Sequence, residues 1–418
     1  MLIGVVGLGY VGLPLAVAFA EAGHDVAGVD VDPERVARLA DGVSDIEDII
    51  SERIERILPL FRPTTDFGEL AEADAILICV PTPLAPDSEM EPDLSFIDSA
   101  AERIAPVLSK GQLVVLESTT YPGTTRERLA PVLESGSGLV AGIDFNLAFS
   151  PERIDPGRTD HDVRTTPKVV GGLTTDCSRR AAGVYEEICD EVVVVSTPEA
   201  AELAKLLENI FRSVNIAMVN ELAILADRMG IDIWEVIDAA STKPFGFMRF
   251  EPGPGMGGHC LPIDPFYLTY KAKEFDFRTE FIELAGRINR AQPEYCVSRI
   301  ERLLGEQGLS VDGARVLILG VSYKAGVGDL RESPGVKIAK LLAGRGAIVS
   351  YHDPHVPRVD EMGLESRPLE EALDDCDLAC VVTAHREIDF DSVFRLAPEV
   401  LDLRGITRGS DRPNVTRL

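Results

Sequence analysis

Five residues of apolar chain, Leu2–Val6, run directly into Gly7-Leu8-Gly9-Tyr10-Val11-Gly12 and then into an apolar helical pattern. A strand handed to a helix through three spaced glycines constrains the fold more than any other feature of this chain. It opens a βαβ unit, because glycine permits the tight turn and lets a foreign group approach the helix N-terminus. The next apolar run ends on Asp30, 18 residues past Gly12. An acid at that place accepts hydrogen bonds from ribose hydroxyls and repels a 2′-phosphate, so the pattern points to NAD over NADP. Gly7, Gly9, Tyr10, Val11, Gly12 and Asp30 are its cofactor candidates.

The alternation continues. Short apolar runs at Val26–Val29, Ala75–Val80, Leu113–Leu116, Phe145–Phe149, Lys168–Val170 and Val192–Val195 are separated by helical patterns, the signature of a doubly wound parallel sheet. From Pro198 the pattern becomes one helix of about 30 residues, opened by Thr197 and Pro198 and closed by Gly230. A glycine- and proline-rich loop, Lys243–Pro265, interrupts the helical middle, and a second α/β alternation starts after Gly313. The expected architecture is α/β: two Rossmann-like doubly wound domains, residues 1–196 and 306–418, joined by a long helix and a helical middle domain, residues 197–305. The middle is expected to pair two copies of the chain as a homodimer through the long helix.

Composition narrows the function. The 418 residues exceed what one core supports, since single cores stop growing near roughly 250–300 residues. A net charge of −28 repels phosphates, which disfavours nucleic acid and anionic membranes as partners. An anionic substrate therefore requires positive charge gathered locally. Nine Lys stand against 32 Arg; a high-salt cytoplasm and a GC-rich genome both remain open as the origin of this acidic, Arg-rich composition. Cys79, Cys177, Cys189, Cys260, Cys296, Cys376 and Cys380 show neither CxxC pairs nor metal-like spacing, which fits a reducing cytoplasm and no metal site. The apolar N-terminus lacks a basic leader and is broken by glycines, so it reads as strand and helix rather than signal peptide. No uninterrupted apolar stretch is long enough for a membrane span.

The strongest chemical signal is Pro252-Gly-Pro-Gly-Met-Gly-Gly-His-Cys-Leu-Pro-Ile-Asp264. A Cys in a glycine-dense turn, with a carboxylate four residues on, suits an exposed nucleophile beside a proton-handling group. Taken alone, a Cys is more often a small buried hydrophobe than a nucleophile.

Seven motifs in order carry a resemblance: the GLGYVG start, Val80-Pro-Thr-Pro83, Glu117-Ser-Thr-Thr-Tyr-Pro-Gly123, Ser150-Pro-Glu-Arg153, Lys205 with Asn209, the Cys260 loop, and Gly320-Val-Ser-Tyr-Lys324 followed by Asp329-Leu-Arg-Glu-Ser-Pro334. Over essentially its whole length the chain resembles the UDP-glucose/GDP-mannose dehydrogenase family, and its motif variants are similar to the branch that oxidises UDP-N-acetylhexosamines, UDP-N-acetylglucosamine above all. The resemblance implies an NAD-dependent, four-electron oxidation of the sugar C6 hydroxyl to a carboxylate through a thioester on Cys260. It implies that Lys205 and Asn209, one turn apart on a helix, stabilise the oxyanion at C6, that Glu152 is the base for thioester hydrolysis, and that Asp264 and Thr119 position water. Arg35, Thr82, Ser118, Thr119 and Arg331 join the implied cofactor set. Glu152, Arg153, Lys205, Asn209, Arg249, Gly253, Gly257 and Lys324 form the implied substrate set, with Lys324 facing the UDP phosphates. Two departures fit the aminosugar branch: Pro156 stands where UDP-glucose members have a second Glu, and Lys243-Pro244-Phe245 where many have an Arg. The same chemistry on UDP-glucose, UDP-N-acetylmannosamine or UDP-N-acetylgalactosamine is the alternative. A two-electron hydroxyacid dehydrogenase has no need of Cys260, and a ligand-binding sensor has no need of the catalytic set.

Overall fold

Eight strands build the first sheet: Leu2–Val6 (β1), Asp25–Val29 (β2), Phe61–Thr64 (β3), Ala75–Ile78 (β4), Leu113–Leu116 (β5), Asn146–Phe149 (β6), Lys168–Gly172 (β7) and Val192–Val195 (β8). The computed structural model describes residues 1–46, 49–85, 88, 91–154, 161–258, 261–409 and 412–418. The sheet runs β3-β2-β1-β4-β5-β6-β7-β8, so its order reverses beside β1, where the glycine turn lies. In open α/β sheets that reversal, at the carboxyl ends of the strands, is where ligands bind. Central strands are apolar on both faces because each face carries a core: Leu113 and Val115 enter one, Val114 and Leu116 the other.

One pairing departs from the expected parallel sheet. β6 and β7 are antiparallel, with Ala148 opposite Gly172 and Phe149 opposite Gly171. Parallel neighbours need a crossover, usually helical. No helix stands among the described residues between these strands. The edge strand β3 lacked a sequence signal because Arg62 and Pro63 interrupt its apolar run; a proline that cannot donate is tolerated at an edge.

The chain divides into two compact units, Met1–Glu208 with Phe266–Arg278, and Asn209–Pro265 with Thr279–Leu418. The division falls inside the long helix Pro198–Met229. That helix has the expected ends: Thr197 Oγ1 accepts from the Ala200 N–H at 3.2 Å, and Gly230 terminates it at φ +69°. A second long helix, Glu280–Glu306, carries Pro293 in its interior.

In the second unit the strands are Arg315–Leu319 (β9), Ile348–His352 (β10), Arg358–Val359 (β11), Leu364–Glu365 (β12), Leu378–Val381 (β13), Val400–Asp402 (β14) and Val415–Arg417 (β15). Five form a parallel sheet in the order β10-β9-β13-β14-β15, while β11 and β12 pair antiparallel. Val316 and Ile318 fill one side of this sheet, Leu317 and Leu319 the other. A smaller apolar cluster around Trp234 binds the helix Ile233–Ser241 to the end of the long helix. Among the described residues no helix is long and apolar enough to cross a membrane.

Candidate active site

The glycine turn after β1 is shaped for close approach. Gly7 adopts φ +92°, and a Cβ there would lie 2.7 Å from the Cys79 carbonyl oxygen. A Cβ on Gly12 would lie 1.8 Å from the Gly7 carbonyl oxygen, whereas one on Gly9 would meet nothing within 4 Å. Gly7 and Gly12 are thus required by the turn itself, and Gly9 leaves open room over the helix N-terminus. Asp30 is buried and ties the turn to the end of β2: its Oδ2 accepts from the Leu8 N–H at 2.8 Å and its Oδ1 from the Asp32 N–H at 3.0 Å. A carboxylate offers about four acceptor positions, so two backbone donors leave it able to take a ribose diol. Arg35 stands 3.7 Å from Asp30 and donates to Asp45 at 3.0 Å, which holds it at the adenosine end of such a ligand. The cradle, the open space over Gly9 and the buried acid fit a dinucleotide. Tyr10 is half-exposed at the rim.

The loops after β4 and β5 are tied to each other by their own hydroxyls. Thr82 Oγ1 donates to the Thr119 carbonyl at 2.7 Å, Ser118 Oγ donates to the Val80 carbonyl at 2.6 Å, and the Tyr267 hydroxyl donates to the Thr82 carbonyl. The protons of Thr82 and Ser118 are therefore spent within the protein, leaving hydroxyl lone pairs and backbone groups for a ligand. Glu202, from the long helix, clamps the far end of the β5 loop. It accepts from the Gly123 N–H at 2.6 Å, the Thr125 N–H at 2.9 Å and the Thr125 hydroxyl at 2.7 Å. Burial pushes its pKa up to about 7 against those three donors.

Glu152 follows β6 and belongs to a buried charged group that the sequence did not reveal. Its Oε1 accepts from the Ile154 N–H at 2.6 Å, and its Oε2 lies 3.7 Å from the Lys168 ammonium. Lys168 donates to Glu117 at 2.8 Å, and the Tyr185 hydroxyl caps the other Glu117 oxygen. Burial raises the pKa of Glu117, with Lys168 pulling against it. Burial disfavours the Lys168 charge, yet the carboxylates of Glu117 and Glu152 outweigh it and hold the ammonium above its ordinary value. Arg153 is engaged with Glu208 at 2.7 Å and with the Pro167 carbonyl at 2.6 Å.

Lys205 is 9% exposed on the long helix and forms no ion pair among the described residues. One turn on, Asn209 donates through Nδ2 to Asp264 Oδ2 at 2.6 Å, with both side chains buried. Asp264 heads the helix Asp264–Ala272 that follows the Cys260 loop. Cys260 itself, with His259, lies outside the described residues. The start of its loop is fixed: the Gly253 N–H donates to Asn220 Oδ1 at 3.0 Å, and Asn220 donates to Asn289 at 3.2 Å. Gly257 has no room for a side chain, because a Cβ would lie 2.7 Å from Tyr323 Cβ and 3.0 Å from the Glu332 carbonyl. The neighbouring Gly258 N–H donates to the Arg331 carbonyl at 2.9 Å, which docks this loop against the Lys324–Arg331 turn.

Two arginines of the expected site pair with neighbouring acids. Arg249 pairs with Asp238 at 2.7 Å and Glu251 at 3.0 Å, and Arg331 pairs with Asp329 at 2.6 Å. Each acid neutralises the guanidinium locally, so neither cation is left uncompensated. Arg404, not singled out from the sequence, also stands beside this loop. Its side chain is exposed to solvent. It forms no ion pair among the described residues, and its Nη1 lies 2.9 Å from the place of a Gly253 Cβ. In sequence it is one of 32 arginines, set just after a strand in Asp402-Leu403-Arg404-Gly405, and nothing local singles it out.

Lys324 rides on a loop held from below by Asp353, whose Oδ2 accepts from the Val321 and Ser322 N–H groups at 2.8 and 3.1 Å. His355, His385 and Glu387 come close enough to hold a metal ion. Both His385 nitrogens are occupied, however, Nδ1 by the Gly326 N–H at 3.1 Å and Nε2 by Asp353 at 3.1 Å, so His385 braces the Lys324 loop.

Three consecutive segments of the chain match one known family. The UDP-glucose/GDP-mannose dehydrogenase family matches by its NAD binding domain at residues 1–189, its central domain at 199–291 and its UDP binding domain at 317–409. The chain is 35% identical over 430 residues to the UDP-N-acetyl-D-mannosamine dehydrogenase of Pyrococcus horikoshii, covering 98% of this chain and 100% of that protein. It is 40% identical over 361 residues to the UDP-N-acetyl-D-glucosamine 6-dehydrogenase of Pseudomonas aeruginosa, covering 86% of this chain and 84% of that one. The solved structure of the Pyrococcus horikoshii UDP-D-ManNAc dehydrogenase superposes with a TM-score of 0.90 at 32% identity, over 100% of this chain and 99% of that chain.

Proposed function

This chain belongs to the UDP-glucose/GDP-mannose dehydrogenase family of NAD-dependent UDP-sugar dehydrogenases, and from that premise we propose that it oxidises the C6 hydroxyl of a UDP-N-acetylhexosamine to the uronate. UDP-N-acetylglucosamine is the substrate favoured by the loop motifs and by the 40% identical relative. UDP-N-acetylmannosamine is the second reading, favoured by the relative matched over its full length. The observation that carries the chemistry is the buried Asn209–Asp264 hydrogen bond at the head of the helix after the Cys260 loop, with Lys205 one helical turn before Asn209, buried and without an ion pair among the described residues.

NAD held at the glycine turn by Asp30 would supply the hydride acceptor, one NAD for each of the two oxidations. The Lys205 ammonium and the Asn209 amide stabilise the oxyanion at C6, and Asp264 fixes the amide by taking one of its protons. Cys260 attacks the aldehyde at C6, and the second oxidation leaves a thioester on its sulfur. Glu152 takes a proton from the water that releases the acid, with Thr119 and Asp264 positioning that water. Lys324 and Arg404 supply the positive charge that the UDP phosphates require in a chain of net charge −28. Gly253 and Gly257 keep the loop backbone close to the sugar, while Arg153 and Arg249 brace its surroundings through their ion pairs.

The division into residues 1–196, 197–305 and 306–418 belongs to the same reading, as does a cytoplasmic homodimer. Support for the dimer comes from the long helix, where Leu207, Phe211, Met218, Leu222, Leu225 and Met229 are exposed at helical spacing. The test is turnover of four UDP-sugars, the N-acetylated gluco, manno and galacto forms and UDP-glucose, by the parent and by Cys260→Ser. Acid formation from an N-acetylated sugar by the parent alone supports the proposal. Undiminished acid formation by Cys260→Ser, or preference for UDP-glucose, contradicts it.

A further inference from the structure

Lys168 is the anomaly of the first sheet. It opens β7, in which all five residues are buried, and its side chain is 7% exposed beside a Glu117 that is fully buried. Replacing a buried ion pair by apolar groups is often neutral or stabilising, so stability alone is a poor account of charges in this position. Their placement suggests another one. Glu117 Oε2 anchors the ammonium at 2.8 Å, the Tyr185 hydroxyl fixes the other Glu117 oxygen, and the ammonium faces Glu152 Oε2 at 3.7 Å. The Ile154 N–H holds Glu152 Oε1 from the opposite side at 2.6 Å. Glu152 and Lys168 also line a small open cleft with Arg153, Val163, Thr166 and Pro167, so this carboxylate has a route to water.

We propose that Lys168, anchored by Glu117, is a positioning residue that aims Glu152 for the water-consuming half of the reaction; this rests on the assignment of Glu152 as the base for thioester hydrolysis. In that half a water oxygen bonds to the thioester carbonyl carbon as Glu152 takes the water's proton. The C–S bond then breaks with its electron pair leaving on Cys260 sulfur, and the acid and a proton are released with no change of oxidation state. Neither Lys168 nor Glu117 has a part in the two hydride transfers.

The test is rapid-mixing NADH formation with UDP-N-acetylglucosamine, or whichever of the four sugars the parent accepts, using Lys168→Met, Glu117→Gln, Lys168→Arg and Glu152→Gln. A correctly aimed general base contributes roughly 10²–10⁴-fold, and loss of aim should forfeit about tenfold or more. Lys168→Met and Glu117→Gln are expected to release two NADH per chain in a burst at the parental rate, then turn over at least about tenfold more slowly, with an acyl adduct on the protein by intact-mass measurement. Lys168→Arg is expected to restore most of the steady rate. A steady rate matching the parent, or burst and steady rate falling together, overturns the proposal, as does failure of all three replacements of the pair to fold, which marks a structural ion pair. If Glu152→Gln itself turns over like the parent, the assignment of Glu152 fails; if it shows the burst and neither pair variant does, the pair alone fails.

Discussion

Two alanines in the glycine turn should separate what the fold needs from what the cofactor needs. In Gly12→Ala the new methyl carbon would stand 1.8 Å from the Gly7 carbonyl oxygen and 3.1 Å from Cys79 Cβ. The nearer partner is backbone, so the turn must open by more than an ångström. Overpacking of this kind costs about 1–3 kcal/mol and occasionally more, and 3 kcal/mol corresponds to a fall of roughly 6–12 °C in the unfolding temperature of a domain of this size. In Gly9→Ala the methyl meets nothing within 4 Å, so the same measurement should move by no more than about 0.5 kcal/mol. NAD affinity should fall in both, because the space over Gly9 is where the pyrophosphate must approach the helix N-terminus. Thermal unfolding with and without NAD, together with NAD titration by protein fluorescence, reads both effects. Parental stability in Gly12→Ala would refute the packing of the turn. Parental NAD affinity in Gly9→Ala would refute the path assigned to the pyrophosphate.

Glu202 predicts a pH signature. Its folded pKa of about 7 stands above the ordinary 4.5, so its contribution is fully present below 4.5 and is lost as pH rises through 7. Measured by urea unfolding, the parent should lose about 3 kcal/mol relative to Glu202→Gln across that window; a constant difference would contradict it. Arg404→Met should leave folding intact, because Arg404 forms no ion pair among the described residues, and raise KM for the nucleotide sugar roughly 10- to 100-fold with kcat nearly unchanged, as expected for one charge-assisted contact; an unchanged KM removes Arg404 from the site. Leu222→Asp, in the exposed stripe of the long helix, should yield monomers by sedimentation, and a persistent dimer would place the interface elsewhere.

Much of this was legible because it is local. The helix Pro198–Met229 was readable to its ends since Thr197, Pro198 and Gly230 mark both termini in sequence. The first turn was equally plain, because only glycine fits at Gly7 and Gly12. What escaped depends on partners distant in the chain. Nothing in Leu147 or Val169 declares that β6 and β7 pair antiparallel. Arg62-Pro63 disguised an edge strand that its neighbour β2 nevertheless recruits. The Glu117–Lys168–Tyr185 group joins residues 51 and 68 positions apart, and each looks ordinary alone. Of the candidate site, Asn209 lies against Asp264 and Asp30 against the glycine turn, and Arg249 and Arg331 each pair with a neighbouring acid.

The most direct test is NADH formed per sugar acid released, with UDP-N-acetylglucosamine as substrate and the parent protein as catalyst. Two NADH for each acid, with no free aldehyde trapped by an added amine or hydrazine, is the result the thioester route through Cys260 requires. One NADH per sugar, or an aldehyde released into solution, would contradict it.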